Sequence, residues 1–140
     1  MYDWLTIFTG AVVAMLIGML WYSPLLFVKP WMALSSNSHE SLKKAKVSRP
    51  GKTYFAAFVV CVLMSGAVHF FVQTLAMHTV IEAVFIAGML WLGFIATTLF
   101  SGVLWERKPF GLFLINAGHG LAVVVALSLV SYFSSFFIER

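Results

Sequence analysis

Polar side chains are few inside the apolar stretches of this sequence, and they fall at helical spacing. Ser65, His69 and Gln73 recur four apart, and Asn116 and His119 stand three apart. On a helix each set shares one face. Three chemistries suit such a seam. Neutral histidine, asparagine and glutamine can hydrogen-bond between helices and fix their register. The seam can instead border a wet path, within one bundle or at an oligomer interface, where histidine relays protons or binds an ion. The third is metal or haem ligation, and it lacks ligands. A metal site needs three or four converging donors, and paired axial haem ligands must lie at one depth. Met15, Met19, Met64 and Met89 lie in apolar runs, where methionine usually fills gaps. We expect no metal and no cofactor, and the structural chemistry leads.

Enzyme chemistry finds little support. The apolar runs carry no pair of carboxylates, and there is no serine elbow and no phosphate loop. Cys61 stands eight residues from His69, about two helical turns away. The basic segment lacks interleaved aromatics, so nucleic acid is not an expected partner.

The elements that hold these residues follow from composition. Of the 140 residues 61% are hydrophobic and 10% are charged, against about 25% charged in a soluble domain. A water-soluble fold of this size could not hide so much apolar side chain. Four runs are long enough to cross a hydrocarbon core, at about 4–22, 54–77, 80–104 and 110–137. They do not alternate as barrel strands do, so helices are expected. The first run lacks a basic leader and a small-residue cleavage site, and reads as a retained anchor. The fold class is an all-α membrane protein, one domain over 1–140, built as an up-down four-transmembrane-helix bundle.

Charge orients it. Eight of the nine Lys and Arg are Lys29, Lys43, Lys44, Lys46, Arg49, Lys52, Arg107 and Lys108, and the ninth is Arg140. By the positive-inside rule both basic connections face the cytoplasm of a bacterial inner membrane, and both termini lie outside. Lys43, Lys44, Lys46, Arg49 and Lys52 lie in the loop 35–53, and suit contact with anionic lipid. Trp21, Tyr22, Pro24 and Trp31 form an interfacial anchor, with the aromatic rings at headgroup depth. Ser23 and Pro24 suit the start of a short interfacial helix over 24–34, which Pro30 ends or kinks. Thr79 and Glu82 have the spacing of a capping box, and Pro109 marks a helix start. With that orientation, His69 and His119 are offset by roughly 10 Å along the membrane normal.

Small residues recur four apart on every run: Gly10, Ala14 and Gly18; Ala57, Cys61 and Ser65; Gly93, Thr97 and Ser101; Gly118, Ala122 and Ala126. Such faces let helices approach closely in lipid.

"DWLTIFTGAVVAMLIGMLWYSPLLFVKPWM", "LWLGF" and "FLINAGHG" together resemble a bacterial family of small membrane proteins, the domain-of-unknown-function family 1761. "WYSPLLF" with Trp31 is the most specific part. The family pattern places a tyrosine after Asn-x-Gly in the fourth span, where this chain has His119. The resemblance implies four transmembrane helices and no particular activity. The expected function is that of a small non-enzymatic membrane protein, structural, assembling or accessory. The alternative is a homo-oligomeric channel or transporter for protons, ions or a small solute. Membrane lipids and a second copy of the chain are the expected partners.

Overall fold

The computed structural model describes residues 3–35 and 50–138. Lys43, Lys44, Lys46 and Arg49 lie outside the described residues. Among the described residues there is no strand. Four helices are long and apolar enough to cross a membrane.

Helix α1 spans Trp4–Trp21, with Asp3 as its N-cap. The Asp3 carboxylate accepts from the Leu5 N–H at 3.1 Å, satisfying one of the donors that a helix start leaves free. At the far end the Tyr22 N–H closes on the Gly18 carbonyl. The chain then turns tightly. Ser23 accepts from the Leu25 N–H through its hydroxyl, and the Phe27 N–H returns to the Trp21 carbonyl at 3.0 Å. Helix α2 is short, Val28–Leu34. It begins four residues after Pro24, and Pro30 falls in its first turn, so Pro30 does not end it. An N–H in that turn has no helical acceptor, so proline loses nothing there.

Helix α3 spans Pro50–Thr74. It therefore starts ahead of the apolar run that begins at Tyr54. Proline suits a first helical position, and Lys52 lies exposed in the first turn. The connection to α4 passes through Ala76 with φ at 47°, a left-handed turn unusual for a residue with a side chain. Helix α4 runs Val80–Trp105. Its start is a complete capping box. Glu82 N–H donates to the Thr79 hydroxyl at 3.2 Å, and the Glu82 carboxylate accepts from the Thr79 and His78 N–H groups. The middle of α4, Trp91–Ala96, widens into a π-helical turn. Just beyond it the Thr97 and Thr98 hydroxyls donate to the Gly93 and Phe94 carbonyls, at 2.8 and 2.5 Å. Back-bonding of this kind bends and loosens a helix.

Helix α5 spans Phe110–Ile138 and opens on the Pro109 carbonyl. It is the hub of the fold. Helices α1, α3 and α4 all pack on it, and α1 also packs on α3, while α3 and α4 touch little. Its buried positions Ala117, Gly120, Val124, Leu127, Ser128 and Ser131 follow helical periodicity. Cross-contacts set directions. Thr6 meets Ser134 while Trp21 meets Ile115, so α1 runs opposite to α5. His69 and Gln73 meet Ser131 and Ser135, so α3 runs with α5. Ser128 meets Ala83 while Trp91 meets Ala117, so α4 runs opposite.

The small-residue seam has a visible use at Gly10. A Cβ there would collide with the Ser65 hydroxyl and lie 3.0 Å from Leu127. Only glycine lets α1 sit this close to α3 and α5 at once.

Candidate functional site

Most of the polar residues singled out above fall into two groups, one at each pole. His69 and Gln73 belong to the pole where α1 begins, while Ser65 lies beside Gly10, level with Leu127 toward the middle of the bundle. Ser65 and His69 are each 2% exposed, and Gln73 is exposed. His69 Nδ1 lies 3.3 Å from the Ser131 hydroxyl, and Gln73 donates its amide N–H to the Ser135 hydroxyl. His69 Nε2 is buried with no hydrogen-bond partner.

Next to them Asp3 and Thr6 of α1 meet Ser134 of α5. Thr6 donates to Asp3 and pairs with Ser134, and the Ser134 hydroxyl donates to the Asp3 carboxylate at 3.1 Å. These bonds, Thr6 foremost, hold the Asp3 carboxyl below its ordinary value. One row of α5 hydroxyls thus ties all three neighbours. Ser128 donates to the Ala83 carbonyl of α4 at 2.8 Å, Ser131 meets α3, and Ser134 meets α1. The spacing of 128, 131, 134 and 135 was present in the sequence as a helical stripe. Short hydroxyls usually bond their own backbone, so nothing marked these as cross-helix links.

Asn116 and His119 belong to the opposite pole. The Tyr22 hydroxyl donates to Asn116 Oδ1 at 2.9 Å. The His119 ring stands 5.1 Å from the Tyr22 ring and 6.1 Å from Trp21. Its Nε2 is turned toward Gly18, buried and without a hydrogen-bond partner. Two indoles clasp α5 here. Trp21 Nε1 donates to the Ile115 carbonyl at 3.0 Å, and Trp91 Nε1 to the Ala117 carbonyl at 2.7 Å. Trp31 meets the Tyr22 ring edge-on at 5.8 Å, while Pro24 is exposed.

Beside this group, where α3 and α4 stand apart, lies a cavity of about 480 Å³. Met64 of α3, Phe94 and Thr98 of α4, Asn116 and His119 of α5, and Tyr22 are among its walls. The π turn supplies Phe94 directly. No charged residue lines it.

The two groups are further apart than sequence depth implied. His69 is level with Ser131, and twelve residues of α5 separate Ser131 from His119, roughly 18 Å. Most of the excess over 10 Å arises because α3 starts at Pro50, about a turn ahead of the apolar run, which carries His69 farther from the basic pole. Between the groups lies an apolar layer: Val123, Val124 and Leu127 of α5, packed with Ala14 of α1 and Ala87 of α4. Among the described residues, no cluster of three His, Cys, Asp or Glu side chains is placed to hold a metal ion.

Among the described residues, four apolar helices of membrane length, three of them gathered on α5, define the class of protein. The family described as "Protein of unknown function (DUF1761)" matches residues 5–132, and the chain belongs to that family. Neither the curated proteins nor the solved structures contain a match.

Proposed function

We propose that this is a non-enzymatic integral protein of a bacterial inner membrane, an up-down four-helix bundle with an accessory or assembly role. Both termini lie outside, the short helix α2 rests along the cytoplasmic surface, and the basic connection ahead of α3, with Lys52 in the first turn of α3, meets anionic headgroups there. The positive-inside bias supports the orientation. Each basic residue near an anionic surface adds about 1 kcal/mol of attraction.

The observation that carries the reading is the apolar layer between the two polar groups. A path for protons or ions needs continuous wet polar lining. Here three large aliphatic side chains of α5 separate His119 from Ser131. Several other polar groups bond between helices: tryptophan to carbonyl, tyrosine to amide, serine to histidine. This is how polar groups fix helix register in lipid.

The test is a flux assay on the purified chain reconstituted in liposomes with a trapped pH dye and an imposed potassium potential. Proton and cation leak equal to protein-free vesicles supports the reading. A protein-dependent flux that falls on His119→Leu or His69→Leu overturns it in favour of a homo-oligomeric channel or transporter.

A further inference from the structure

We propose that the cavity between α3 and α4 binds a neutral, membrane-soluble molecule with a carbonyl-bearing ring and an apolar tail, of the isoprenoid quinone class. Its carbonyl accepts a hydrogen bond from the side-chain amide of Asn116. The proposal concerns ligand binding alone and is independent of the accessory role.

Size is the first argument. About 480 Å³ falls within the range of small-molecule sites, which run from roughly 300 to 1,000 Å³. Charge is the second. The walls hold no Asp, Glu, Lys or Arg side chain, and the Nε2 of the His119 imidazole is turned to Gly18. A charged headgroup or a bare ion would lose its hydration there with nothing to replace it.

The third argument is the polarity left over at Asn116. Tyr22 occupies its Oδ1, which fixes the amide and leaves the NH₂ without a protein partner among the described residues. That group donates only, so the ligand must bring an acceptor. Lateral entry is open because α3 and α4 touch little. Finally, the Tyr22 and Phe94 rings and the Met64 thioether offer flat, polarisable walls that suit a ring.

The experiment titrates the purified full chain in mild detergent with decylubiquinone and follows tryptophan fluorescence, since Trp91 lies against the Gly120 wall. Saturable quenching is expected. Asn116→Ala should weaken it about tenfold. Thr98→Phe, which fills the cavity from α4, should abolish saturation, and Met64→Phe should do the same from α3. Equal affinity in Asn116→Ala and wild type overturns the proposal, as does non-saturable quenching in wild type. Native mass spectrometry gives a readout that needs no variant. A bound phospholipid that decylubiquinone fails to displace overturns the proposal, and displacement one for one supports it.

Discussion

Asp3 caps α1 and, through Thr6 and Ser134, ties the start of that helix to the end of α5. Asp3→Ala should cost about 1 kcal/mol, the usual loss of an N-cap, read as a lower midpoint in detergent unfolding. The pH dependence has a definite sign. Because the folded carboxyl is held below its ordinary value, its contribution is present above the unfolded pKa of about 3.9. It disappears as pH falls through the folded value. Wild type should therefore lose stability below about pH 4, and Asp3→Asn, which keeps a capping side chain, should lose less over the same interval. Tyr22 is a second residue with a single clear bond. Tyr22→Phe removes the donor to Asn116 and should cost about 1 kcal/mol, without changing helix content by circular dichroism. The polar positions themselves were legible in sequence, since a histidine or asparagine inside an apolar run stands out by cost alone. Their partners were not. Ser131, Ser134 and Ser135 carry small hydroxyls that lipid-buried helices accommodate without any cross-helix bond, so only packing distinguishes a link from a filler.

At the scale of elements, the contact of α1 with α3 is set by one missing methyl. Gly10→Ala should destabilise the fold by about 1–3 kcal/mol, the usual cost of overpacking, because its Cβ meets the Ser65 hydroxyl. Ser65→Ala removes that hydroxyl. The double variant should recover most of the loss, and the coupling is measurable as a double-mutant cycle. Additive losses would show that the two helices separate for another reason. The starts of α4 and α5 follow from chemistry readable at Thr79, Glu82 and Pro109. The start of α3 lies ahead of its apolar run because helix geometry does not stop where lipid stops. The π turn at Trp91–Ala96 had only indirect signs, a glycine and two adjacent threonines. Its wider turn depends on how α4 lies against α5, with the Trp91 indole on the Ala117 carbonyl.

For the whole molecule, orientation is the first quantity to check. In intact cells a membrane-impermeant thiol reagent should label His78→Cys and leave Lys108→Cys unlabelled until the membrane is opened. Native Cys61 lies half-buried within α3 and should stay silent in both. The reverse pattern would show that the basic connections face outward. α5 has a larger buried share than its three neighbours, so polar insertions at its Val123–Leu127 layer should disturb the fold more than equal changes on α4. Val124→Asn should unfold the chain or admit water between the polar groups, visible as loss of the unfolding transition or as new proton leak.

By itself the sequence determined that four helices are long and apolar enough to cross a membrane, and where their polar side chains lie along each one. Those follow from hydropathy, charge and the helical repeat, which act within single segments. Which helix became the centre, how the polar side chains paired, and that an apolar layer parts them were decided only by the tertiary structure. In lipid no hydrophobic force ranks one apolar face above another. Register therefore rests on shape, on where a glycine lets a neighbour in and where an indole or a serine reaches a partner, and those contacts join residues about 26 to 131 positions apart.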